Sequence, residues 1–331
     1  MSENIPHFTG LPEGPKTYLW TAEQMPAPAP HQIAATTEEV AAPGFSRDDN
    51  RIAHIQWFQP PADANRTDAC MVIISGGGYD TCCDIPAFVP FVQRLQQAGL
   101  VCVNFTDRTP RPKDKPPYWT AWKDGQRAIR MIRSAAKEHG FDPEKIGVVG
   151  CSAGSHLCML LGLSSQTKAY EPVDALDEIP CHVNWSIPMC PAYALTDGLA
   201  TPNARGGHGA DAVIDPVFAF DEKTCPVCFM HGGDDPYSPM ASLKAYCRLR
   251  EMGLPAELHL EAYAVHGFMN YKRMDTAGVA IDFLRRMGFI PTPEGMTIGR
   301  STASASEDVA MACAWEVRQI AGAQSDMGLI A

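Results

Sequence analysis

From His54 onward the chain alternates short apolar runs with longer stretches in which apolar residues recur at helical spacing. The runs His54–Gln59, Cys70–Ser75, Leu100–Thr106, Lys145–Gly150, His182–Pro188, Pro226–His231 and Ala256–Ala262 have the length of strands. Between many of them lie Pro86–Ala98, Trp119–His139, Ser152–Ser164, Met240–Met252 and Asp275–Met287, which read as helices. Strand followed by helix, repeated, predicts a mostly parallel central sheet with helices on both faces, an α/β fold.

The flanks read differently. Residues 1–50 are rich in Pro, Ala and Thr, with Met25-Pro-Ala-Pro-Ala-Pro30, and are expected to form an extended arm. Residues 51–290 form the expected catalytic domain. Residues 291–331 are a tail with one helical pattern from Glu307 to about Gln324, a surface for packing on its own domain or for homo-oligomer contacts. Residues 189–224 are irregular, with Arg205-Gly-Gly-His-Gly209 in the middle. A loop of that length in a compact domain is often functional and is expected to edge the site.

Composition narrows the partners. A formal net charge of -11 disfavours nucleic acid or an anionic membrane, because phosphate would be repelled. No run approaches the roughly 18 apolar residues of a membrane span. The start Met1-Ser-Glu-Asn-Ile-Pro has neither a basic stretch nor an apolar one, so no secretory signal is expected. Several of the 12 cysteines sit in apolar segments, such as Cys70 and Cys102, and read as core thiols of a reducing, cytoplasmic compartment. Cys225-Pro-Val-Cys228 has zinc-like spacing but lacks a second pair at suitable distance. Neither metal nor cofactor is expected.

Candidate chemistry sits at the strand ends. Gly150-Cys-Ser-Ala-Gly154 follows the run Lys145–Gly150 and opens an apolar helical pattern. This is the strand–G-x-S-x-G–helix setting of a nucleophile elbow, which makes Ser152 the candidate nucleophile. Cys151 is a rival thiol, but successive strand side chains face opposite ways, so it is expected in packing. Ser75-Gly-Gly-Gly-Tyr79 follows another run, and its glycines let backbone N–H groups approach a substrate oxygen. Gly77, Gly78 and Ala153 are the expected oxyanion donors, each worth about 3–4 kcal/mol in acyl transfer.

Pro226–His231 leads into Gly232-Gly-Asp234-Asp235-Pro236, and the later run ends at Tyr263-Ala-Val-His266. Chain order Ser, Asp, His fits a hydrolase triad. His266 is the expected base and Asp235 the expected acid, with Asp234 the alternative. His156 is expected in a core or hydrogen-bonding role, His231 in holding the acid-bearing turn, and His208 in a solvated loop. Trp119, beside the Pro-rich segment Thr109–Tyr118, and Tyr79 are candidates for substrate contact.

With these motifs in place, the chain resembles α/β-hydrolase esterases such as acetyl xylan esterases and related sugar-ester hydrolases, relatives of the prolyl-oligopeptidase and hormone-sensitive-lipase groups. The resemblance runs from about Leu19 to Phe289. It rests on Gly76-Gly-Gly-Tyr79, Asp124–Arg130, Asp142–Gly147, Gly150–Leu157, His231–Pro236 and His266-Gly-Phe268. Ser75 stands where such enzymes often have His or Pro, and Ser238 where Val is usual. The resemblance implies an α/β-hydrolase fold and removal of short acyl groups, above all acetyl, from sugars or plant-polysaccharide fragments. Two other readings compete: a peptidase or amidase on the same triad, and a hydrolase-fold binding protein without catalysis. Such peptidases commonly carry a propeller, for which this chain has no room, and a complete triad argues against a non-catalytic role.

Overall fold

The computed structural model describes residues 15–21, 53–82, 88–196, 212–267 and 274–296. Most of the N-terminal arm, the Arg205–Gly209 segment with His208, Phe268 and the tail helix at Glu307 lie outside the described residues. The chain divides into two compact units, Met1–Leu284 and Arg285–Ala331. The sheet and the candidate site lie in the first.

Eight strands form one sheet. They are β1 (Lys16–Tyr18), β2 (His54–Phe58), β3 (Cys70–Ile74), β4 (Val101–Thr106), β5 (Ile146–Cys151), β6 (Trp185–Met189), β7 (Val227–Gly232) and β8 (Ala256–Glu261). Their spatial order is β1-β2-β4-β3-β5-β6-β7-β8. The β1–β2 and β2–β4 pairs are antiparallel, and every later pair is parallel. The strands β3, β5, β6 and β7 are buried at every position, which is why they read as unbroken apolar runs rather than alternating ones.

The helices are α1 (Phe88–Gln97), α2 (Trp119–Ser134), α3 (Ala136–His139), α4 (Ala153–Leu163), α5 (Met240–Glu251) and α6 (Thr276–Arg286). Two elements depart from the sequence reading. The expected helix Trp119–His139 is interrupted at Ala135, and its last turn stops at Gly140 in a left-handed conformation. Part of the expected arm is an edge strand: β1 pairs Lys16 with Gln56 and Tyr18 with His54. A three-residue strand is too short to show a period, but the burial that follows it is clear. Leu19 is 1% exposed and Trp20 is 6%.

Trp20 also shows how the segment is held. Its Nε1 donates to Asp124 Oδ1 at 2.7 Å, and Asp124 pairs with Arg108 at 2.6 Å. Asp124 has no exposed surface, so Arg108, which follows β4, is locked to helix α2 from inside the protein. Among the described residues, no helix is long and apolar enough to cross a membrane.

Candidate active site

Parallel strands deliver their carboxyl ends to one edge, and ligands of open α/β sheets bind there. Strand β5 ends at Cys151 and helix α4 begins at Ala153, leaving Ser152 alone to make the turn. Its φ of 57° and ψ of -121° are a conformation that a side chain rarely adopts, the mark of an elbow held by its surroundings. Those surroundings are glycine on one side. A β-carbon on Gly154 would lie 2.3 Å from the Ser75 carbonyl oxygen and 2.4 Å from that of Ile74. Helix α4 can therefore begin hard against β3 only because residue 154 has no side chain.

The hydroxyl of Ser152 is 2.7 Å from His266 Nε2. On the far side of the ring, Nδ1 is 2.8 and 3.0 Å from the two oxygens of Asp235. A carboxylate only accepts, so Nδ1 carries the proton and Nε2 is the acceptor for the serine O–H. These are the three residues expected from sequence order, and the structure brings them into one hydrogen-bonded line.

Asp235 rather than Asp234 meets the imidazole. Its carboxylate also accepts from the Tyr237 amide at 2.8 Å, while the Asp234 amide donates to the Ala264 carbonyl and ties the two strand-end turns together. Burial works to raise the pKa of Asp235, but hydrogen bonds from His231 and His266 outweigh it and hold the carboxyl below its ordinary range. Burial works to lower that of His266. The hydrogen bond to Asp235, together with the Cys190 and Asp235 charges, reverses this and raises it above the usual value.

The glycine loop after β3 lies directly over the elbow. A β-carbon on Gly76 would be 2.9 Å from the Cys151 carbonyl oxygen and 3.0 Å from the Ser152 β-carbon. Gly77 accepts from the amides of Asp80 and Thr81, which curls the loop into a tight turn with Gly78 at a φ of 66°. Ala153 is the first residue of α4, and the first-turn N–H groups of a helix have no acceptor within it. Gly77, Gly78 and Ala153 thus belong to two backbone segments that meet above the serine.

Other expectations fall out as follows. His156 is fully buried, with Nδ1 2.9 Å from the Tyr79 hydroxyl, and burial drives its pKa down to about 3. Tyr79, a candidate for substrate contact, is 4% exposed and spends its hydroxyl on that imidazole. Trp119 is half-buried with the Lys123 ammonium 2.9 Å from its ring centre. His231 holds the acid turn: Nε2–H donates to the Tyr237 carbonyl at 2.9 Å, and Ser242 Oγ lies 2.8 Å from Nδ1. Cys151 is buried with Sγ 3.4 Å from that of Cys190.

Three residues went unforeseen: Cys190, Tyr193 and Tyr237. Cys190 Sγ, Asp235 and His266 have donor atoms within 4.8 Å of one another. The pKa of the Cys190 thiol is lowered by the hydrogen bond with Cys151, against burial, with His266 helping. Tyr237 packs its ring 4.7 Å from that of His266, and Tyr193 packs edge-on to Tyr237 at 5.4 Å. All three follow strand ends, the one signal the sequence carried for them. A second potential ligand cluster, Cys228, Glu257 and His259, lies on β7 and β8 and does not include Cys225. His259 Nε2 there is 3.1 Å from Glu257 Oε2.

The chain is similar in sequence and fold to known proteins. Residues 57–190 match the BD-FAE family model. Esterase LipQ of Mycobacterium tuberculosis is 25% identical over 72% of this chain and 59% of its own length. An acetylxylan esterase of Xylanibacter ruminicola is 23% identical over 71% of this chain and 48% of its own. The chain thus spans about half the length of these curated relatives. An acetyl ester-xyloside bifunctional hydrolase of Caldicellulosiruptor lactoaceticus superposes with a TM-score of 0.64 at 23% identity, covering 85% of this chain and 99% of that one. With that structural neighbour the chain shares the α/β-hydrolase fold.

Proposed function

We propose that this chain is a serine carboxylesterase that removes short acyl groups, above all acetyl, from sugars or plant-polysaccharide fragments through an acyl-enzyme. The observation that carries this reading is the 2.7 Å approach of Ser152 Oγ to His266 Nε2, with Asp235 on the other ring nitrogen. Ser152 Oγ attacks the ester carbonyl while His266 takes its proton. Asp235 stays ionised and stabilises the imidazolium. The carbonyl oxygen, now an oxyanion, is received by the amides of Gly77, Gly78 and Ala153. His266 then returns the proton to the departing alkoxide, releasing the alcohol. A water molecule, deprotonated by His266, attacks the acyl-serine, and collapse releases the acid and restores Ser152.

The choice of acyl group and alcohol is supported by the acetylxylan esterase likeness. Small-molecule or oligosaccharide esters are the proposed partners, with homo-oligomer contacts through the tail. A reducing, cytoplasmic setting fits the described cysteines, which are free thiols. Acetate release from acetylated xylo-oligosaccharides, measured beside a p-nitrophenyl ester series, tests the reading. Acetyl esters should lead both series, and a profile peaking at long acyl chains or at aminoacyl amides would reject it.

A further inference from the structure

The non-glycine residues with positive φ are not scattered. Among the described ones are Ser152 itself, Tyr79, Cys190 and Tyr193 from the loops beside it, and Phe220. A left-handed backbone is uncommon for a bulky side chain and persists where the surroundings impose it. Ser152 has its reason in the elbow. Tyr193, with a φ of 58°, has none in the triad.

Tyr193 is held by its loop and by its ring neighbours. Its loop leaves β6 and is pinned by backbone bonds on both sides: Cys190 N to Met230 O at 2.8 Å, Ala192 N to Ser152 O at 3.3 Å, and Asp215 N to Ala194 O at 3.0 Å. The ring stacks on Tyr79 at 6.3 Å and meets Tyr237 edge-on, with the Arg111 guanidinium 5.9 Å from its centre. This clamp carries the phenol hydroxyl to the glycine loop. The oxygen stands 3.1 Å from the point a β-carbon on Gly78 would occupy, in space that only a glycine leaves open. The hydroxyl also hydrogen-bonds the phenol of Tyr237, whose ring rests on His266.

We propose that Tyr193 is a catalytic residue of this site, its hydroxyl donating a hydrogen bond to the carbonyl oxygen of the ester as that oxygen gains charge. The assignment rests on the esterase reading above. Tyr237 is a positioning residue: it donates to the Tyr193 oxygen, which leaves the Tyr193 proton directed at the substrate. Burial first, and then the hydrogen bond with Tyr193, raises the Tyr237 phenol above its usual range, so it remains a neutral donor. Donors in series polarise one another and strengthen the last bond. No proton is transferred at Tyr193. It supplements the backbone donors with a side chain fixed before substrate arrives.

The test compares wild type, Tyr193→Phe, Tyr237→Phe and the double variant on p-nitrophenyl acetate and on an acetylated sugar. Phenylalanine keeps the ring packing and removes only the hydroxyl. Tyr193→Phe is expected to lower kcat about 100-fold on both substrates with little change in KM, the low end of the loss for one oxyanion donor. Affinity for a trifluoromethyl ketone analogue should fall by a similar factor, and the melting temperature should hold. Tyr237→Phe should cost less, and the double variant should match Tyr193→Phe alone, because the two act in series. A kcat for Tyr193→Phe within twofold of wild type overturns the assignment. So does a loss confined to the sugar ester, which would make Tyr193 an alcohol contact. Wild-type protein that turned over no ester would instead refute the esterase reading itself, a result separable from these.

Discussion

Replacing Asp235 by asparagine changes one atom of a carboxylate that is 4% exposed, and the structure indicates how the amide must sit. Oδ1 accepts from the Tyr237 amide at 2.8 Å, and Oδ2 makes the shorter contact with His266 Nδ1, also at 2.8 Å. Asparagine has one acceptor oxygen. Leaving it on Tyr237 N–H places the amide NH2 against Nδ1, which must then accept. The ring proton moves to Nε2, and a protonated Nε2 cannot take the proton of Ser152. A triad in the wrong tautomer loses about 10⁴-fold in kcat, or about 5 kcal/mol at 1.36 kcal/mol per decade.

The pH profile should move as well. His266 works as a neutral base, so activity is present above its pKa and lost as pH falls through it. The Asp235 hydrogen bond and the Cys190 and Asp235 charges raise that pKa above the ordinary 6.5, so the wild-type acid limb should lie above 6.5. Removing the carboxylate charge should shift the limb toward lower pH. Initial rates on p-nitrophenyl acetate from pH 5 to 9 provide the assay, with Asp234→Asn as comparison. That variant should stay within about twofold, the usual range for a substitution away from such a network. Loss below tenfold in Asp235→Asn, or a larger loss in Asp234→Asn, would refute the reasoning.

Other substitutions probe the scaffold. Gly154→Ala forces a β-carbon to 2.3 Å from the Ser75 carbonyl, so it should cost about 1–3 kcal/mol or more in a urea melt and lower activity with it. Arg108→Met strands the fully buried Asp124 carboxylate and should cost about 3–5 kcal/mol by chemical denaturation, most of it recovered when Asp124→Leu is added. Ser152→Ala should retain the wild-type melting temperature while ester turnover disappears into background.

The sheet was legible because each central strand is buried on both faces and announces itself as an unbroken apolar run. The triad was legible because parallel strands send their carboxyl ends to one edge, so strand-end motifs in the order Ser152, Asp235, His266 converge without knowledge of the loops. What stayed hidden depends on geometry that no local pattern encodes. The three residues of β1 show no period, and their place comes from pairing with β2. The break at Ala135 lies inside a continuous helical pattern. Tyr79 was a candidate for substrate contact, yet with a φ of 65° its hydroxyl meets His156. Tyr193 and Cys190 reach the site through the path of an irregular loop, which its composition does not foretell.

Intact-mass and peptide mapping after treatment with a fluorophosphonate tests the nucleophile most directly. A single phosphonyl adduct on Ser152 is expected, absent in Ser152→Ala and formed far more slowly in His266→Ala. An adduct on another residue, or labelling that survives in Ser152→Ala, would contradict the account.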